Sequence, residues 1–559
     1  MATLNFPINP YEWSESSADF WTRTCLGHEA SASFNENIAN GHTELSIVVS
    51  FRVHHPASNR NKGTELELDE LVARARQAWI QVRYLRPECA VEMDTHTDPS
   101  IPQNMTYRVL RDQDSLRSWV SETFVVTRLG EPGARTLDEI TSYTYNRPLP
   151  TKGKQSMLYL VLPRLGDDGD RSAHLIWNVA HAVTDGGSIA DFYNVLLQCL
   201  IDATPSAPYC SIYTPSAFEL NVLPRLPRSV VCAYQQQYKP SSQQIESAKR
   251  EARLNMRLVS ERMSQSLALI PAPSFPNRTH STICLIKAFS ETESRALLDF
   301  AKTVKSGVTY LASAATIMAT AETFPERKAT STGALMGMVR NARRWLSTTP
   351  VDGVSSTSTP LGSDAVFLWI PVDTQACSFE PHFSLLPTLI NIAHRIRIEL
   401  DTHLTTPHSI ASYPLVADAA VSGLAQQWSS ITSTDSVTPQ SELDNIIGPQ
   451  APGFSSVGIF KVHPRFAPIS ASINESGLWL ERWDLTHLGR QVNASPWMSM
   501  LTIDGRIKFQ LGFDTKFHDL KKMEQFMERT YDWMKICAAS AGTLTSTERI
   551  DALRVTARL

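Results

Sequence analysis

Long apolar runs are missing from this 559-residue chain. No segment approaches the roughly 18 to 20 uninterrupted apolar residues that a membrane-spanning helix needs. The first residues, MATLNFPINPYEW, lack the basic start and apolar stretch of a secretory leader, so a cytoplasmic protein is expected. Cysteine is sparse and scattered. The eight (Cys25, Cys89, Cys199, Cys210, Cys232, Cys284, Cys377 and Cys537) form no CxxC pair and no Cys/His cluster. That pattern speaks against zinc and a disulfide scaffold and leaves small core residues as the expectation. A charge excess of one sign is missing too: the formal net charge is −4, with no long Lys/Arg run and hence no footprint for nucleic acid. Sequons at Asn104, Asn277, Asn474 and Asn493 read as chance without a leader. What remains, 42% hydrophobic and 19% charged residues, is ordinary globular composition, long enough for a large core or two domains.

Elements are legible along the chain. ELSIVVSFRV (44–53) reads as a strand, and Leu68, Leu71, Val72, Ala75, Trp79 and Val82 mark an amphipathic helix stopped by Pro87. AHLIWNVAH (173–181) is a strand, and SIADFYNVLLQCL (188–200) is a helix with Ile189, Phe192, Leu196 and Cys199 on one face. Ser188 and Asp191 are spaced as a capping pair, which starts that helix just after two glycines. The Pro/Ser-rich stretch 202–216 marks the exit from a first lobe, and residues 242–264 read as a charged surface helix. A second lobe opens at the strand STICLIKAF (281–289), followed by a Ser290–Glu293 capping box. GVTYLASAATIMATA (307–321) is a helix of small residues, and 333–339 and 365–372 are buried strands. Ser/Thr-rich loops are expected at 346–364 and 429–442. Residues 499–513 form a hairpin turning at Asp504-Gly505, with a final amphipathic helix at 519–537. The division is therefore 1–216, a linker at 217–280, and 281–559. Strand, turn and helix recur at 173–200 and 506–537, but only the first copy carries a histidine followed by an aspartate and glycines.

That first copy reads NVAHAVTDGGSIADF (178–192). His181 and Asp185 lie at the end of a strand entering a glycine turn, where side chains are held firmly and can face a cleft. A neutral imidazole is well suited to take a proton from an alcohol near pH 7 and return it to a leaving group. Asp185 need not touch the ring; it can pair with an arginine and hold the loop. Gly186 permits a tight turn. The spacing alone arises readily by chance, and a histidine at a strand end also serves as a hydrogen-bonded structural group. The residues by themselves leave both readings open.

HAVTDGG resembles the HxxxDG signature of the chloramphenicol-acetyltransferase-like superfamily, which includes CoA-dependent alcohol acyltransferases, plant acyltransferases of the BAHD type and peptide-synthetase condensation domains. The small-residue helix and APGFSSVGIF (451–460), similar to an SNxG-type strand, add to it. RTCLGHE, ARQAWIQVRYLRPECA and the terminal hairpin and helix resemble the fungal trichothecene 15-O-acetyltransferase group. Ala180 stands where condensation domains place a second histidine, and no DFGWG motif occurs near the end. The resemblance implies a two-lobed α/β fold with the active site between lobes and His181 as general base. Asp185 becomes a structural anchor paired with Arg340 or Arg343, and Gly186 the turn residue. Ser455 or Ser456, with Ser472 behind them, would stabilise the oxyanion. It further implies O-acetyl transfer from acetyl-CoA, as co-substrate, to a small-molecule alcohol such as a trichothecene 15-hydroxyl. No bound cofactor or metal, and a monomer, are expected. The rivals are a carrier-protein-dependent condensation enzyme and a non-catalytic binding module of the same fold.

Overall fold

The computed structural model describes residues 11–54, 64–130, 135–150, 153–163, 172–203, 222, 225–272, 278–346, 361–373, 383–404, 407–433, 452–468 and 479–541. The Pro/Ser-rich passage after 203, most of the 346–364 loop and Ser472 lie outside them. Of the 429–442 loop, the first residues are helical, because the Tyr413–Ser433 helix runs into it.

The first lobe is built on a sheet whose strands run, in spatial order, Arg465–Phe466, Trp479–Gly489, Leu45–His54, Ser172–Val179, Ser156–Leu162 and Phe124–Arg128. One face is covered by the helices Thr64–Leu85 and Gly186–Asp202. Their apolar faces follow the periodicity of the sequence: Leu71, Ala75, Trp79 and Val82 on one, Ile189, Phe192 and Leu196 on the other, all buried. Aromatic rings interlock there, with Trp177 stacked on Phe192 at 3.5 Å and Trp79 on Trp119 at 5.4 Å. Each such side chain removed from water contributes about 1.5–3 kcal/mol. A separate four-stranded sheet joins Ser14–Ser17, Phe20–Thr24, Asn104–Arg108 and Val91–Met93.

The second lobe's sheet runs Thr282–Ala288, Arg506–Asp514, Trp497–Ile503, Gly453–Ile459, Gly333–Asn341 and Ser363–Pro371, with Ser266–Leu267 pairing beside Gly333–Asn341. Behind it lies the small-residue helix Val308–Thr323, buried from Leu311 to Thr323, between the helices Leu386–Leu404 and Leu520–Ala539. Alanine, serine and threonine let these three helices approach closely while their backbone hydrogen bonds stay satisfied.

A boundary at 281 expects the Trp479–Gly489 strand in the second lobe. Instead it pairs along its whole length with Leu45–His54, so the late chain crosses back to extend the first sheet. Leu480 and Leu485 accordingly belong to the first lobe's core, and Leu501 and Ile503 join it from the second sheet's Trp497–Ile503 strand. Among the described residues, no helix is long and apolar enough to cross a membrane. Of the six described cysteines, all but Cys284 are buried, and all are free thiols.

Candidate active site

The Ser172–Val179 strand ends one residue before Ala180, whose N–H donates to Gln155 O at 2.9 Å. The chain then turns through residues 181–184, and the next helix begins at Gly186. Its N-cap is Asp185. The carboxylate accepts from the N–H groups of Gly187 (2.9 Å) and Ser188 (3.1 Å), while Ser188 Oγ accepts from Asp185 N–H at 3.1 Å. The capping pair is thus Asp185 with Ser188, one turn earlier than Ser188 with Asp191. An aspartate there satisfies N–H groups that would otherwise lack partners and places its charge at the positive end of the helix.

The same carboxylate bridges the lobes. Arg343 Nη2 donates to Oδ1 at 2.6 Å, and Gly362 N–H donates to Oδ2 at 2.7 Å. Both partners come from the second lobe, Arg343 from a short turn after the Gly333–Asn341 strand. Burial alone would raise the Asp185 pKa; the Arg343 charge and these donated hydrogen bonds overcome it and hold the carboxyl below its ordinary value. Four donors meet these oxygens, three at Oδ1 and one at Oδ2, and none of them is the His181 ring. Gly187 and Gly362 make room for the guanidinium. A Cβ at Gly362 would come within 2.5 Å of Arg343 Cγ, and one at Gly187 would collide with Arg343 Nη1. Arg340 does not join this pair; its guanidinium bonds His403 O and Ser409 and lies 5.6 Å over Trp345.

The His181 ring sits among two other imidazoles. His28 meets it edge to face at 5.8 Å, and His487, on the strand that crosses back from the late chain, interacts with it electrostatically. Burial, reinforced by the His181 charge, lowers both neighbours to about 4, so at neutral pH they are uncharged. His181 Nδ1 is buried and has no hydrogen-bond partner. Nδ1 of the neighbouring His487 is likewise without one, whereas His394 is anchored to Val304 O at 2.8 Å. Neither His28 nor His487 was singled out by sequence. His28 falls within the RTCLGHE stretch, which gives it no role, His487 lies in no motif, and only the folded chain brings them to residue 181.

The two candidate serines face opposite ways on the Gly453–Ile459 strand. Ser456 Oγ is hydrogen-bonded to Thr309 Oγ1 at 2.9 Å, toward the small-residue helix of the second lobe. Ser455 pairs with Ser499, which pairs in turn with Gln510. Residues 499, 501 and 503 alternate onto one strand face, and Leu501 and Ile503 belong to the first lobe's core, so Ser455 shares the face turned to that lobe. A bulge follows at 456–458, and Val457 packs on the motif turn: a Cβ at Gly186 would lie 2.9 Å from Val457 Cγ1. Gly186 thus admits the second lobe's strand against the turn that follows His181. Among the described residues, no group of three His, Cys, Asp or Glu side chains has the arrangement to hold a metal ion.

Known proteins share this architecture. The acyl-CoA-dependent acyltransferase MAC1 of Mycosarcoma maydis is 63% identical over 543 residues, covering 97% of this chain and 91% of the relative. MAC1 of Pseudozyma antarctica (strain T-34) is 63% identical over 542 residues, 96% of this chain and 98% of its own. No family model matches the chain. Among solved structures, TRI3 trichothecene 15-O-acetyltransferase from Fusarium sporotrichioides superposes with a TM-score of 0.73 at 17% identity, over 94% of this chain and 98% of that one. The fold is accordingly the two-lobed, mixed α/β chloramphenicol-acetyltransferase-like fold. With nearly two-thirds of its residues identical to such relatives over almost its whole length, the chain belongs to the acyl-CoA-dependent acyltransferases.

Proposed function

We propose that the chain transfers an acyl group from acyl-CoA to the hydroxyl of a small-molecule alcohol, with His181 as general base. The observation that carries this is the contrast inside the motif. Asp185 is committed to the clamp between lobes, whereas the His181 ring beside it is only partly buried and no hydrogen bond joins it to that carboxylate. His28 and His487, lowered to about 4 mainly by burial, are neutral beside that ring.

In the reaction the imidazole accepts the proton of the alcohol as its oxygen attacks the thioester carbonyl. The carbonyl π pair moves onto oxygen, and the Ser455 hydroxyl donates a hydrogen bond to that oxyanion. Collapse breaks the C–S bond and expels the CoA thiolate, which takes the proton from the imidazolium. The ester and free CoA leave, and the ring is again neutral. No acyl-enzyme is formed. General acid–base action of this kind contributes about 10²–10⁴ in rate, and alignment of the two substrates between the lobes supplies more.

The narrower reading is acetyl transfer to a trichothecene 15-hydroxyl, for which the motif resemblance and the likeness in fold to TRI3 speak, by a chain that works as a cytoplasmic monomer. Purified protein is incubated with acetyl-CoA or longer acyl-CoA thioesters and a panel of hydroxylated terpenoids and other alcohols, following free thiol. Acceptor-dependent thiol release is expected. Release only from an acyl group tethered to a carrier protein would instead identify a condensation-type enzyme, and binding without release a non-catalytic module.

A further inference from the structure

Two backbone N–H groups in the motif turn, those of His181 and Ala182, fall between the end of a strand and the start of a helix. Neither element supplies them an acceptor, and buried donors of this kind need one. The acceptor is Glu36. Ala182 N–H donates to Glu36 Oε1 at 3.3 Å, and the His181 N–H lies beside the same carboxyl group and interacts with it electrostatically.

Glu36 lies in the last turn of the His28–Ile38 helix. Its side chain does not cap that helix; it bonds the motif turn instead. Burial, with the nearby Glu44 carboxylate adding to it, holds this carboxyl well above its ordinary range. A group kept neutral in this way still offers oxygen as an acceptor. The first residue of the same helix, His28, is the ring packed edge to face on His181. One helix therefore touches the histidine twice, at its ring and at its backbone, while Asp185 ties down the turn four residues later.

We propose that Glu36 is a positioning residue for His181: its carboxyl oxygens hold the backbone of residues 181 and 182 and thereby set where the imidazole stands. This deepens the acyl-transfer reading and rests on it for its kinetic consequence, but not for its structural one.

The test compares wild type with Glu36→Gln, which keeps an acceptor oxygen, and Glu36→Met, which keeps the shape without one. Kinetics use the acyl-CoA and alcohol giving the fastest thiol release. In parallel, the His181 ring resonances are followed by NMR on histidine-labelled protein, assigned by their loss in His181→Ala. The Met variant is expected to lose about 10- to 100-fold in kcat, with KM unchanged and His181 resonances displaced. The Gln variant is expected to stay near wild type in both. A Met variant with wild-type kcat and resonances would overturn the proposal, as would equal losses in both variants. A Met variant that fails to fold would make Glu36 a folding residue and overturn it as well. If no alcohol supports turnover by wild type, the acyl-transfer reading fails, and the resonances still decide the role of Glu36.

Discussion

The two strand-turn-helix units of this chain use the same residue types to opposite ends. In the second lobe, the Arg506–Asp514 strand ends on a buried Asp514 whose carboxylate takes His280 Nδ1 at 2.5 Å and the N–H groups of Ser281 and Lys516, each at 2.9 Å. A different aspartate, Asp519, caps the following helix through Lys522 N–H, and the intervening His518 donates through Nε2 to Ala494 O at 2.7 Å. Asp514, His518 and Asp519 thus each have a structural partner. In the first lobe a single aspartate both caps the helix and reaches across to Arg343 and Gly362. The histidine beside it has no bond at Nδ1. In one copy the aspartate and both histidines are held by structural bonds; in the other the histidine proposed as base is not held by the aspartate of its own motif.

The comparison breaks most severely if the cross-lobe clamp is removed. Arg343→Leu or Asp185→Asn leaves the other partner buried without its ion-pair partner, which typically costs about 3–5 kcal/mol. Chemical denaturation of the two single variants and the double variant is expected to show strong coupling. A double variant as destabilised as the sum of the singles would dissolve the pair. Ser455→Ala is expected to lower kcat by about 10²–10³, the usual cost of losing one oxyanion donor. Ser456→Ala, whose hydroxyl is engaged with Thr309, leaves kcat at the wild-type level in the same thiol assay. Gly187→Ala drives a methyl group into Arg343 and is expected to destabilise by about 1–3 kcal/mol. Suppression of that loss in an Arg343→Leu background would place the collision at the guanidinium.

A smaller effect lies in acid. The folded Asp185 carboxyl is depressed below 3.8, so its contribution is fully present above the unfolded value and is lost as pH falls through the folded one. Wild type and Asp185→Asn are therefore expected to converge in unfolding free energy as pH drops below about 4. A gap that stays constant down through that range would show that the charge contributes nothing.

Much of this was legible in sequence because it is local. Strand periodicity before His181, the glycines after Asp185 and the apolar stripe of the next helix are all encoded within 30 residues. The cap was misjudged by one turn because Ser188 serves equally well, by spacing, as the capped partner or as the cap. What could not be read depends on distant segments meeting. Arg340 and Arg343 stand in one basic run, and only the path of the chain after the Gly333–Asn341 strand sends one to Asp185 and the other to Ser409. Adjacent serines point to opposite faces of a strand, so choosing Ser455 requires knowing which face meets the first lobe. Glu36 and His487 carry no motif, RTCLGHE gives His28 no link to residue 181, and the return of Trp479–Gly489 to the first sheet pairs residues more than 400 apart.

The most direct measurement is acceptor-dependent thiol release by His181→Ala beside His518→Ala, with thermal unfolding of both. Turnover in His181→Ala is expected to fall by about 10²–10⁴ with its melting temperature unchanged. His518→Ala is expected to keep its turnover and lose about 1–3 kcal/mol of stability, since the buried Ala494 carbonyl is left without its donor. Turnover that survives in His181→Ala would contradict the account, because the proton would then be taken by some other group.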